Sequence, residues 1–213
     1  MRTKTSPIAL EGLPFIGAAA FLTVVLALLT WRAPAVIMLA VTLFIVYFFR
    51  NPQRISPPDD NAVVAPADGK IIFIGQVFEE HLQAETLKIS IFMSVFNVHV
   101  NRAPLSSRVV DTFYIRGKFL DVRDERATFE NEQLGIILEN SRGHRIVCVQ
   151  VAGLIARRIV CYLKSGDCIN LGEIYGLIRF GSRLDVYLPV GTDVRVKIGD
   201  KTAAGETILG ILP

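Results

Sequence analysis

The stretch AVVAPADGKIIFIGQVFEEHLQAETLKISIFMSVFNVHV, residues 62–100, decides the fold class. Its apolar runs are short, rich in Val, Ile and Phe, and bounded by Gly, Pro and polar residues, the pattern of strands rather than of helices. Strands are expected at 62–65, 70–74, 87–93 and 97–100. The same pattern recurs at 135–138, 145–151, 184–188 and 193–197. Several of these runs are continuously apolar instead of alternating, which predicts burial on both faces. The charged segment 118–133, KFLDVRDERATFENEQ, is expected to be an exposed loop or short helix. Residues 62–213 therefore read as one β-rich domain, and the chain as mainly β (α+β).

A repeat sits inside this domain. Gly166-Asp167 to Gly172-Glu173 and Gly199-Asp200 to Gly205-Glu206 share the spacing G-D-x4-G-E, and each follows a β-like run that ends in Lys, at Lys164 and Lys197. Glycine supplies positive φ and Asp bonds its own turn backbone, so the pair predicts two similar hairpin-like units. Such turn units are similar to those of carrier-type barrel-sandwich folds.

Upstream the composition changes. The chain has 213 residues, 51% of them hydrophobic, and its mean hydropathy is +0.43. Residues 13–31 and 33–49 are two uncharged apolar runs separated by Arg32. At about 1.5 Å per residue each can cross, or nearly cross, a hydrocarbon core of about 30 Å. Residues 1–49 therefore read as a hydrophobic helical hairpin and membrane anchor, the second run being short enough for a re-entrant segment. A cleaved signal peptide is disfavoured because the apolar stretch runs on too long. Arg2 and Lys4 flank one side and Arg50 and Arg54 the other, which places both ends in the cytoplasm by the positive-inside bias. Residues 50–61, RNPQRISPPDDN, read as a linker.

Charge narrows the partners. Residues 1–49 hold three of the 23 basic and one of the 20 acidic residues, leaving 20 against 19 in the remainder. That balance argues against nucleic acid. Cys148, Cys161 and Cys168 form no CxxC pair and read as reduced, partly buried thiols.

Three segments could carry chemistry. In Ala65–Lys70, Asp68 lies in a Pro-x-Asp-Gly turn and is by itself a turn residue. In Ser94–Pro104, His99 sits in an apolar run between Asn97 and Asn101, and strand alternation would put these three on one face. A buried structural histidine fits that pattern equally well. In Gly176–Pro189, Ser182 follows Gly181 ahead of a strand, and a hydroxyl so placed can attack the preceding carbonyl where the turn is strained and a base is near.

Together, PADGK, FNVHVNRAP and GLIRFGSRLDVYLP, with FFRNPQR after the apolar segment, resemble the short bacterial and archaeal form of the phosphatidylserine decarboxylase proenzymes over essentially the whole chain. The resemblance implies self-cleavage at Gly181–Ser182 into a β chain 1–181 and an α chain 182–213 that stay together as a heterodimer, higher oligomers being left open. It implies a pyruvoyl cofactor made from Ser182, which forms a Schiff base with phosphatidylserine, and no metal. It assigns a relay in which His99 takes the Ser182 proton and Asp68 orients the imidazole. Longer relatives carry a second histidine three residues on, where this chain has Arg102. Arg102, Arg183 and Asn97 are weaker candidates for substrate binding. The expected location is the cell membrane, with the catalytic domain facing the cytoplasm. Two rival readings are a membrane-anchored zinc peptidase, which lacks a second nearby histidine here, and a non-enzymatic carrier-like module, which lacks its attachment lysine.

Overall fold

The computed structural model describes residues 6–59, 61–124, 126–154, 158–179 and 181–213. Arg2, Lys4 and Phe180 lie outside them. The chain divides into two compact units, Met1–Gln53 and Arg54–Pro213.

In the first unit a 3-10 turn, Leu10–Gly12, leads into α1, Leu13–Leu28, and α2 spans Arg32–Phe48. Arg32 thus opens the second helix instead of separating the two, and the turn is made by residues 29–31, with Thr30 at φ 58°. The faces where the helices meet bury small residues, Ala19, Ala35 and Thr42, and the Thr23 and Thr42 hydroxyls lie 3.1 Å apart. Small residues let helix backbones approach closely. Large apolar side chains point outward instead: Phe21 is 72% and Leu28 78% exposed. The continuous helix Leu10–Leu28 is long and apolar enough to cross a membrane.

The second unit is built of strands. In chain order they are Ala62–Val64 (β1), Gly69–Glu79 (β2), Ala84–Met93 (β3), Val100–Arg102 (β4), Ser107–Ile115 (β5), Gln133–Glu139 (β6), Arg145–Ala152 (β7), Ile159–Cys161 (β8), Cys168–Ile169 (β9), Ile174–Ile178 (β10), Ser182–Pro189 (β11), Asp193–Val194 (β12), Lys201–Thr202 (β13) and Ile208–Ile211 (β14), with one short helix, Ala127–Glu130 (α3). The mainly β reading holds. Among the described residues an eight-stranded antiparallel sheet has the order β13-β2-β3-β11-β7-β6-β5-β9, and two three-stranded sheets run β1-β14-β12 and β4-β10-β8.

These orders are palindromic. One seven-stranded unit consists of β1, β2, β3, β11, β12, β13 and β14. The other consists of β4 to β10 and is inserted between the third and fourth strands of the first. The repeat seen in sequence is the most visible part of this duplication. Its backbone bonds match in pairs: Val64 N–H donates to Pro104 O and Arg102 N–H to Pro66 O, and Gly205 N–H to Ala65 O and Gly172 N–H to Ala103 O.

The core lies between the sheets. β3 contributes Ile89, Ile91 and Met93, β11 contributes Leu184, Val186 and Leu188, and β6 and β7 add Ile136, Leu138, Ile146 and Cys148, all fully buried. Each such aliphatic side chain contributes about 1.5–3 kcal/mol relative to exposure. The opposite face of β11 carries Arg183, Asp185 and Tyr187.

Three expectations are corrected. Residues 97–100 are not a strand: a turn closed by Asn97 N–H to Ser94 O precedes β4, which starts at Val100. The strand expected at 193–197 stops at Val194, because the repeat turn begins three residues on, where Lys197 N–H donates to Asp200 Oδ2. Segment 118–133 contains the expected short helix, yet its own Val122, Ala127 and Asn131 are buried, and Asn131 Nδ2 bonds Leu120 O and Ala152 O. Of the cysteines, Cys148 is buried, Cys161 half-buried and Cys168 exposed, all free.

Candidate active site

Ser182 opens β11, is 0% exposed, and pairs across the sheet with Met93 on one side and Ala152 on the other. Strand alternation turns its side chain inward, with Leu184 and Val186. There the hydroxyl donates to the thioether Sδ of Met93 at 3.4 Å, a weak acceptor that leaves the oxygen lone pairs uncommitted.

The preceding peptide is held in an unusual state. Gly181 has φ +66°, a left-handed conformation that costs glycine little and other residues more. Its carbonyl oxygen packs against Gly153 so closely that a Cβ at position 153 would overlap it. Gly153 therefore fixes where the carbonyl lies, a constraint that only the tertiary structure reveals.

His99 is 2% exposed and reaches the backbone of Gly181, one peptide before the Gly181–Ser182 bond. The Gly181 N–H donates to its Nε2 at 3.3 Å, and its Nδ1 lies 2.9 Å from Asn97 O. With Nε2 accepting from Gly181 N–H, Nδ1 is the nitrogen placed to donate to Asn97 O, and the accepting nitrogen lies beside the residue that precedes Ser182. Asn97 serves this indirectly. Its Oδ1 accepts from Ser94 N–H and Oγ–H, closing the turn that brings its carbonyl under His99.

Asp68 belongs to another cluster. Arg54 Nη2 bonds both its oxygens, at 3.0 and 2.7 Å, and Ala204 N–H donates to Oδ1 at 2.7 Å. The hydrogen bond that orients His99 Nδ1 thus comes from a backbone carbonyl, where the sequence reading had put Asp68. Arg54 also bonds Glu206, whose other oxygen accepts from Ile55 N–H. Glu206 is thereby held below its ordinary carboxylate range, first by the Ile55 N–H and then by Arg54. Arg102 Nη1 donates to Gly172 O, and burial, with Arg54 beside it, lowers its pKa.

Arg183 is turned away from Ser182. It is 4% exposed and bonds Asp185 through Nε and Nη2, Val122 O and Thr128 Oγ1, while Lys88 Nζ pairs with Asp185 at 2.9 Å. Burial pulls the Lys88 ammonium down, against the attraction of Asp185. A role for Arg183 in substrate binding is set aside: it is a structural ion on the opposite face. The sequence carried that signal, since adjacent strand residues point to opposite sides.

Among the described residues no three His, Cys, Asp or Glu side chains converge as metal ligands. For a pyruvoyl group the donor chemistry fits: a buried serine hydroxyl, a preceding carbonyl packed on Gly153, and an imidazole nitrogen at the Gly181 N–H.

Fold and site together define a β domain organised around a buried Gly-Ser peptide. The phosphatidylserine decarboxylase family profile matches residues 41–210. The phosphatidylserine decarboxylase proenzyme of Geotalea uraniireducens is 68% identical over 213 residues, covering 100% of both chains. That of Geobacter sulfurreducens is 63% identical over 218 residues, again covering 100% of both. That of Syntrophotalea carbinolica is 52% identical over 213 residues. The chain belongs to the phosphatidylserine decarboxylase family, whose members process themselves to a pyruvoyl enzyme. The zinc-peptidase and carrier readings have no support.

Proposed function

We propose that this chain is a proenzyme that breaks its own Gly181–Ser182 bond and then decarboxylates phosphatidylserine to phosphatidylethanolamine at the membrane. The observation that carries the reading is the buried Ser182 hydroxyl beside a carbonyl fixed by Gly181 and Gly153, with Nε2 of His99 held at the N–H of the same glycine.

Ser182 Oγ attacks the Gly181 carbonyl carbon and its proton passes to His99 Nε2, released from its long bond to Gly181 N–H. The peptide nitrogen leaves and an ester joins the two residues. Loss of the Ser182 α-proton then breaks the Cβ–O bond, so the Gly181 carboxylate keeps the serine oxygen and residue 182 becomes dehydroalanine. Addition of water and loss of ammonia leave a ketone. When present, that pyruvoyl group supplies an electrophile for the substrate amine and an acceptor for the electron pair that carbon dioxide leaves behind. His99 can afterwards return a proton to the reacting carbon. Asp68 acts as a positioning residue: it holds the 65–70 turn, whose Pro66 carbonyl bonds Arg102 on β4, the strand that follows His99.

The chains of the processed enzyme form a heterodimer. β11, the first strand of the α chain, lies between β3 and β7 of the β chain, and β14 pairs with β1. Cutting at 181 breaks neither ladder. The apolar helices anchor the enzyme in the cell membrane, and the basic flanks Arg2, Lys4, Arg50 and Arg54 orient the domain to the cytoplasm. Asn97 and Arg102 shape the site through turn and strand contacts.

Intact-mass spectrometry tests the reading. The wild-type protein should give two chains, the smaller with a blocked amino terminus and lighter by one ammonia than a fragment starting at an intact Ser182, while Ser182→Ala stays full length and inactive. An active, uncut wild-type chain refutes it.

A further inference from the structure

Gln150 is 0% exposed, in the middle of β7, and its Oε1 has no hydrogen-bond partner. Burying an unpaired amide oxygen costs about 1–3 kcal/mol, so such a group asks for an explanation. Its surroundings supply one. Gln150 lies two residues from Ala152, the cross-strand partner of Ser182, and the period of two puts Gln150 on the face to which Ser182 points. Gln150 Nε2 donates to Asn101 Oδ1 at 2.8 Å, and Asn101 Nδ2 donates to Met93 Sδ, the sulfur that also receives the Ser182 hydroxyl. The Gln150 amide nitrogen is thereby committed to Asn101, and Oε1 is left as an unpartnered acceptor on the sheet face that Ser182 shares.

We propose that Gln150 is a substrate-binding residue whose Oε1 receives an N–H of the substrate's amine, with Asn101 as the positioning residue that sets the amide. This rests on the decarboxylase reading above. A serine headgroup brings a phosphate, a carboxylate and an amine. Only the amine donates, and a dry carbonyl oxygen repels the two anions. The acceptor therefore turns the amine toward residue 182 and keeps the carboxylate away from β7.

The test uses Gln150→Met, close in shape but without the acceptor, on purified full-length protein. Three quantities are measured: chain splitting by mass spectrometry, kcat and KM, and covalent capture of phosphatidylethanolamine by the α chain with cyanoborohydride, read as added mass. Capture involves no decarboxylation. The variant should split into two chains like the wild type and lose about tenfold or more in both capture and kcat/KM, the size expected for one lost hydrogen bond to a polar partner. Gln150→Glu should move the rising limb of the pH profile of kcat/KM to higher pH, because a carboxylate there favours the protonated amine. It also serves if Gln150→Met does not fold. Capture within about twofold of wild type, an unshifted profile, or a Gln150→Met chain that folds but stays uncut each overturns the proposal. Failure of the wild type to split would instead remove the decarboxylase reading itself.

Discussion

The two seven-stranded units differ at one connection. In the continuous unit β6 turns directly into β7 through the hairpin Asn140–His144, closed by Asn140 N–H to His144 O. In the other unit the same turn would join Met93 to Ser182, but the whole second unit stands there instead. The chain leaves at Met93, builds β4 to β10, and returns at Gly181–Ser182. Met93 and Ser182 remain cross-strand partners, as the ends of a hairpin would be. The comparison teaches why the bond can be given up. It lies where a long excursion rejoins a sheet that is already paired on both sides, so its loss removes a connection and no ladder.

A second difference lies in the repeat turns. In one, Ala204 N–H is capped by the Asp68 carboxylate; in the other, Leu171 N–H is capped at the matching place by the Ser106 hydroxyl at 3.0 Å. The caps are geometrically alike, but only the first is charged, and only it is tied to Arg54.

These contrasts can be broken by mutation. The largest effect is expected for Gly153→Ala. Its backbone is compatible with alanine, so the chain should fold, but the new methyl would push the Gly181 carbonyl aside. A displacement of about 1 Å costs on the order of a hundredfold in rate, and self-cleavage timed on denaturing gels should fall by that order. Cleavage at the wild-type rate would deny Gly153 its role.

Asp68 sharpens the comparison of caps. Asp68→Ser copies Ser106 and retains the turn bond, whereas Asp68→Ala loses it and costs about 1–2 kcal/mol in thermal unfolding. If Asp68 works by position, the serine variant processes clearly faster than the alanine one. Equal losses would assign the charge itself to the chemistry.

The smallest effect concerns Glu206. Its pKa is lower folded than its ordinary 4.5, so the stability it contributes is present above pH 4.5 and is lost as pH falls through the folded value. The group is largely solvated, so the loss is local: hydrogen-exchange protection of the Ile55 amide should drop between pH 6 and pH 3.5, and Glu206→Gln should abolish that pH dependence. Unchanged protection in the wild type would show that this contact does not hold residue 55.

Much of this was legible in the chain. Apolar periodicity set apart two helices from a β domain, because strand and helix patterns are local. The G-D-x4-G-E spacing exposed the duplication at its turns, where glycine and aspartate are demanded by backbone geometry, but not along its strands, where many apolar residues serve equally. Ser182, Gly181 and His99 were found as residue types in a recognisable order.

What tertiary structure alone decided is which groups meet. Asn97 offers His99 a carbonyl because a turn replaces the expected strand. Asp68 goes to Arg54, Gly153 abuts the Gly181 carbonyl, and Gln150 shares a face with Ser182. Each of these depends on the register of strands far apart in sequence, and register is set by the packing of the whole sheet, which no local run of residues encodes.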